Sequence, residues 1–239
     1  MDGERTVPPR PLIVELVGPA GAGKTAALRA IGTRDGSVRA GFHLDRLRSL
    51  PMILRHTLAL APTGFGLMGE NPLAWWPGMR HLLRLTTLRA VLSGRTTSST
   101  HRAVVLDEGP VFSLTRLRAF QNVSAGNGRW ARSWRAALDE WANALDLVVW
   151  LDAPDPLLAQ RIRRRFKAHR VKDGTEREVF EFLQRYRSAY QAVLAELSAA
   201  GHVKVVEIDT AVASADHVAG TLLTLLDRMQ RPPGPAANR

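Results

Sequence analysis

Six consecutive residues, Leu12-Ile13-Val14-Glu15-Leu16-Val17, read as an apolar strand that runs directly into Gly18-Pro19-Ala20-Gly21-Ala22-Gly23-Lys24-Thr25. A helix of about Lys24 to Ile31 is predicted to follow. A weaker strand is predicted near Val38 to Leu44, then helices at 45–60 and 79–93. The second of these carries Leu82, Leu85, Leu88 and Leu92 at helical spacing. Ala103-Val104-Val105-Leu106-Asp107 is a continuous apolar run closed by an acid, the pattern of a buried parallel strand. Helical sequence at 111–120 leads to a break at Gly126-Asn127-Gly128. The next helix, 129–145, spaces Trp130, Trp134, Leu138, Trp141 and Leu145 along one face, a stripe that reads as core. A strand from Leu147 to Leu151 ends in Asp152, and Asp155-Pro156 opens a helix through Arg165. A long helix over 176–199, a strand from Val203 to Ile208 and a helix near 215–229 complete the pattern. Strands alternating with helices predict an α/β fold with a mainly parallel sheet, whose ligands bind at the carboxyl ends of the strands.

Composition narrows this picture little. A chain of 239 residues with 45% hydrophobic and 23% charged residues suits one globular α/β domain, expected over 1–230. The proline-rich stretch 231–239 is expected to be a disordered tail. There is no cysteine, which removes thiol chemistry and zinc-thiolate sites. The start of the chain is polar and no apolar run approaches the roughly 20 residues of a spanning helix, so the expected location is the cytoplasm, away from membranes. The net charge of +11 invites a nucleic-acid reading. Yet the charge is nearly all scattered arginine, with Lys24, Lys167, Lys172 and Lys204 the only lysines. An anionic small molecule is the favoured partner over a nucleic acid, and a homodimer stays open.

Candidate chemistry begins with residues 18–25. They spell G-x-x-x-x-G-K-[ST] between a strand and a helix, the context of a P-loop, or Walker A motif. Glycines there let successive N–H groups turn inward around phosphate oxygens, and the helix dipole favours the same anion. Gly18, Pro19, Ala20, Gly21, Ala22, Gly23, Lys24 and Thr25 are therefore the expected nucleotide-binding residues. Lys24 is expected to reach the outer phosphates, and the Thr25 hydroxyl to hold magnesium. Asp107, at the end of its strand, can hold that metal through water or take the proton of an attacking hydroxyl; Glu108 competes for either role. Asp107 could also simply cap the turn before Gly109-Pro110. On a continuous helix Arg161 and Arg165 would share a face, with Arg163 and Arg164 turned elsewhere. Lys167, Arg170 and Lys172 follow in polar sequence broken by Asp173-Gly174, which suits a mobile lid over about 161–176. A solvated basic helix is the plainer alternative.

The P-loop, the strand-end Asp107 and "LDAPDPLLAQRIRRR" followed by a long helix with "FLQRYRSAY" together resemble the P-loop nucleoside and nucleotide kinases, most of all the thymidylate kinase branch. The resemblance implies a five-stranded parallel sheet of order 2-3-1-4-5 flanked by helices. It also implies ATP and Mg2+ as cofactors and an ATP-dependent phosphotransferase acting on a small acceptor such as a nucleoside, a nucleotide or a related metabolite. It makes Lys24, Asp107, Arg161 and Arg165 the expected catalytic residues, with Thr25 and Asp107 at the metal. The alternative is a P-loop NTPase or a nucleotide-binding regulatory protein. One departure stands out. Thymidylate kinases carry Asp-Arg-aromatic at the third strand end, whereas this chain has Asp107-Glu108-Gly109, so the arginine that grips the acceptor's phosphate is missing. The acceptor side is expected over about 42–93, with His43, Asp45 and the loop Pro62–Pro72 leading to Trp75-Trp76-Pro77.

Overall fold

A computed structural model describes residues 10–42, 72–96, 100–120, 128–165 and 169–230, together with Arg55. Five strands form one sheet: β1 (Leu12–Val17), β2 (Val38–Phe42), β3 (Ala103–Leu106), β4 (Leu147–Asp152) and β5 (Lys204–Asp209). Their order is β2-β3-β1-β4-β5, and every pairing is parallel. Seven helices are described: α1 (Lys24–Arg34), α2 (Pro72–Thr96), α3 (Pro110–Phe120), α4 (Gly128–Ala144), α5 (Asp155–Arg163), α6 (Glu176–Ala200) and α7 (Ala215–Gln230).

Alternation along the strands splits the core into two layers. Ile13, Val17, Val104, Leu106, Val148 and Trp150 pack under α2, α3, α4 and most of α6, against Leu85, Leu114, Trp141 and Tyr190. Val14, Leu16, Val105, Val149 and Leu151 face the other way, against Ile31 of α1, Leu158 of α5 and Leu222 of α7. Burying one such side chain contributes about 1.5–3 kcal/mol, so both faces of the central strand β1 are firmly specified. The tryptophan stripe of α4 packs as expected at Trp141 and Leu138, and Trp134 is half-buried with its indole N–H donating to Glu196 at 3.0 Å.

Two boundaries differ from the periodicity. Helix α2 begins at Pro72, well before 79, and takes in Trp75-Trp76-Pro77. Proline at a first helical position loses no bond, while Pro77 forfeits one early in the helix. Strand β2 is described as far as Phe42 and has a register shift between Ala40 and Phe42, where Gly41 adopts φ 71°. Helix α5 ends at Arg163, capped by Arg164, so Arg165 follows in a turn in which its N–H donates to the Ile162 carbonyl at 3.2 Å. Arg161 and Arg165 therefore do not share a helix face. The helix expected at 45–60, the loop 62–71, His43 and Asp45 lie outside the described residues apart from Arg55, as do the side chains of Trp75 and Trp76 and the tail 231–239.

Candidate nucleotide and acceptor site

The parallel sheet delivers four strand ends to one edge, and chemistry-bearing residues stand at each. At the end of β1, Gly18, Gly21 and Gly23 all have positive φ, at 145°, 89° and 88°. Gly18 has no room for anything larger, because a Cβ there would lie 2.0 Å from the Leu151 carbonyl oxygen of β4. The Lys24 ammonium folds back across the loop and donates to the carbonyls of Gly18 at 2.6 Å and Pro19 at 2.9 Å. Burial pushes the Lys24 pKa down to about 8, with Asp107 pulling upward and Arg165 pushing further down. Thus the acid after β3 and an arginine after α5 both lie within electrostatic reach of the P-loop lysine. Thr25 is exposed at the start of α1.

The residues suit magnesium bound in company with phosphate. Mg2+ takes one or two protein oxygens and completes its shell with waters and phosphate oxygens. Thr25 at the helix start and Asp107 near Lys24 supply that number, and the positive-φ glycines leave the loop's amides free of side chains.

Arg161 is placed differently from Arg165. Its guanidinium donates to the Gly21 carbonyl at 3.3 Å and to Thr210 after β5, at 3.0 Å to the hydroxyl and 2.7 Å to the carbonyl. It braces the P-loop against the end of β5. The other end of α5 is held by Arg187 of α6, which donates to Asp152 at 2.7 and 3.2 Å and to Asp155 at 2.7 Å. Helix α5 is thereby fastened at both ends, and the Arg187 pKa rises because both carboxylates favour its charge. Arg165 lies beyond the second fastening and is exposed.

On the β3 side, Asp107 is followed by Glu108 in a left-handed conformation, φ 54°. Glu108 meets Arg84 of α2 at 3.5 Å. Arg116 of α3 donates to the Tyr186 hydroxyl of α6. Burial and then the charges of Arg116, Arg80 and Arg84 push the His81 pKa down to about 3, so His81 is neutral. It is buried and its Nδ1 has no hydrogen-bond partner among the described residues. His169 is also lowered, by burial and then by Arg165, Arg116 and Lys24. Burial raises the Tyr186 pKa, while Arg116 and Arg170 oppose the rise. Arginines from α2, α3 and the segment before α6 thus act on His81, His169 and Tyr186, and Lys24 of the P-loop acts on His169 as well.

Sequence reasoning passed over most of this second half. Arg84, Arg116, Tyr186 and Thr210 carry no local signal, since each is an ordinary residue at an unremarkable spacing. Glu15 did carry one. A glutamate in the middle of an apolar strand must be buried, and a buried carboxylate must be held by something.

No protein-family model matches the chain, and no curated protein matches it in sequence. Solved structures do match. A thymidylate kinase from Candida albicans superposes over 92% of this chain and 93% of its own, with TM-score 0.58 and 13% identity. A deoxyadenosine kinase from M. mycoides, with the products dCMP and dCDP bound, covers 91% of this chain and all of its own, with TM-score 0.50 and 14% identity. The fold is that of the P-loop nucleoside and nucleotide kinases. Sheet order and parallel pairing agree with the expectation from sequence. Among the described residues, no helix is long and apolar enough to cross a membrane.

Proposed function

We propose that this protein is an ATP- and Mg2+-dependent kinase that transfers a phosphoryl group to a small anionic acceptor, a nucleoside monophosphate or a related phosphorylated metabolite. The observation that carries the reading is the convergence on Lys24 of charges from two other elements, Asp107 after β3 and Arg165 after α5. The P-loop amides and Lys24 bind the outer phosphates, and Thr25 with Asp107 holds the metal. Bound Mg2+ would neutralise the phosphate oxygens as charge shifts between them. In the transfer, an acceptor oxygen forms a bond to the terminal phosphorus while the bond to the bridging oxygen of ADP breaks. Arg165 supplies positive charge to the moving group, and Arg161 keeps the P-loop in place. If the acceptor oxygen carries a proton, Glu108 is the nearer carboxylate to the acceptor basin and takes it.

Two features extend the assignment. Among the described residues Val212 is the one large apolar side chain left exposed, at 87%. It lies two residues from Thr210, the residue to which Arg161 ties the P-loop, and in this reading packs on the base of ATP. The gathering of Arg80, Arg84 and Arg116 around His81 favours an acceptor that brings its own negative charge.

The test is incubation with Mg2+ and γ-labelled ATP against matched pairs of nucleosides and nucleoside monophosphates, with sugars and aminoglycosides as further acceptors. Label should appear in a phosphorylated acceptor, and preferentially in one that already bears phosphate. Label confined to inorganic phosphate would replace the kinase with an NTPase.

A further inference from the structure

Glu15 has a place in the molecule that nucleotide binding does not explain. It stands in β1 between Val14 and Leu16, on the same face as Ile13 and Val17, and is fully buried. Its carboxylate accepts hydrogen bonds from the backbone N–H groups of Val111 at 2.7 Å and Phe112 at 3.0 Å, in the first turn of α3. A helix start is ordinarily capped by its own preceding residue, a serine, threonine, aspartate or asparagine. Here that residue is Gly109, which has no side chain to offer. A Cβ at Gly109 would lie 2.7 Å from the Glu15 carboxyl carbon, so glycine is also what makes room for the remote cap. A local cap would complete α3 without reference to any other element. A cap from β1 instead fixes the turn of Asp107, Glu108 and Gly109 relative to the strand that bears the P-loop. That turn needs holding, since Glu108 adopts a backbone conformation that side chains with a Cβ rarely adopt.

We propose that Glu15 is a positioning residue, which ties the start of α3 to β1 and thereby sets the Asp107 carboxylate against Lys24 and Thr25. This rests on the reading of Asp107 as a metal-binding acid, although the tie itself does not. The groups that face Glu15 are the amides of α3, Arg84 from α2 and Tyr190 from α6; its neighbours across the sheet, Leu106 and Val148, are apolar. Tyr190 is itself buried and meets the Gly18 backbone N–H, so the packing around Glu15 reaches the first residue of the P-loop. Burial raises the Glu15 pKa to about 7, and the bonds from Phe112 and Val111 and the charge of Arg84 oppose the rise. The ionised carboxylate grips the amides, and the grip relaxes as the group is protonated.

The experiment uses the whole protein and two readouts. The first is amide hydrogen exchange over residues 109–114, compared with the middle of α6. In Glu15→Met this segment should exchange roughly tenfold faster or more, the consequence of losing charge-assisted bonds, with Glu15→Gln intermediate. In the unaltered protein, intrinsic rates corrected, protection of the same segment should fall as pH is lowered from 8 to 6. The second readout is the factor by which Mg2+ tightens ADP binding. Asp107→Asn should abolish that factor, Glu15→Gln should reduce it with metal-free ADP affinity unchanged, and the double variant should lose no more than Asp107→Asn alone. Unchanged protection in Glu15→Met, or no pH dependence in the unaltered protein, overturns the proposed tie. A Mg2+ factor untouched in Glu15→Gln but abolished in Asp107→Asn overturns its service to Asp107. If Asp107→Asn itself leaves the factor unchanged, it is the metal-binding role of Asp107 that falls, and the positioning role with it, while the exchange data still decide whether the tie exists.

Discussion

The two sides of the basin are built in different ways. The P-loop side is a continuous stretch of chain, residues 18–25, whose backbone torsions, lysine and helix start are all local. The acceptor side is gathered from α2, α3 and the segment leading into α6, and its arginines come from positions 84, 116 and 170. The first is held by hydrogen bonds within itself and by one brace, Arg161, reaching Gly21 and Thr210. The second exists only because helices pack on one face of the sheet and a buried glutamate pins the turn between them. Phosphate binding in a loop can be specified by glycine and lysine spacing, whereas selection of a second substrate depends on which helices happen to be neighbours. That difference suggests that the nucleotide half is robust to change elsewhere and the acceptor half is sensitive to packing.

Four measurements break or sharpen this contrast. Lys24→Ala should lower phosphoryl transfer by on the order of 10²–10³-fold, as removal of a preorganised charge at the transferring group does. Retained activity would remove the P-loop from the mechanism. Next in size is the pH dependence at Glu15. Its pKa in the folded protein, about 7, lies above the ordinary 4.5, so the native state holds the proton more tightly than the unfolded chain. That contribution to stability is fully present below 4.5 and is lost as pH rises through about 7. Thermal or urea unfolding should therefore show Glu15→Gln gaining on the unaltered protein by up to about 3 kcal/mol between pH 4.5 and 8. A pH-independent difference between the two would mean that the buried carboxylate carries no proton near neutrality. Arg116→Ala should raise the acceptor KM about tenfold and leave the ATP KM within about twofold, the mark of lost binding on one side alone. An equal rise in both would mean that the two halves are one network. The smallest effect is expected at the far end of the nucleotide half, where Val212→Ser should weaken ATP binding by about threefold through lost apolar contact.

The extent to which the site could be read from the sequence follows the same division. The bend that carries Lys24 and Thr25 was legible because its shape depends on neighbours within eight residues. Asp107 was legible because an apolar run that ends in an acid marks a strand end in any parallel sheet. Arg161 was named from its helix, but its partners Gly21 and Thr210 were not, because a helical pattern says which residues share a face and not which carbonyl the guanidinium will find. Arg165 was assigned to the same helix, which in fact ends at Arg163. In the proposed reading Arg84 and Arg116 stand in for the arginine missing after Asp107, and nothing local distinguishes these from the other arginines of an arginine-rich chain.

By itself the sequence determined the alternation of strands and helices, the phosphate-binding bend and the acid that follows β3. These depend on torsional preferences, on glycine where a Cβ cannot fit, and on apolar periods of two and 3.6 residues, all of which act over short distances along the chain. Tertiary structure alone decided that Glu15 would meet the start of a helix 96 residues away, that Arg161 would reach Gly21 and Thr210, and that Arg80, Arg84 and Arg116 would gather around His81. Those outcomes depend on which buried groups meet across the sheet, and burial makes the energy of each charge depend on neighbours that chain order does not reveal.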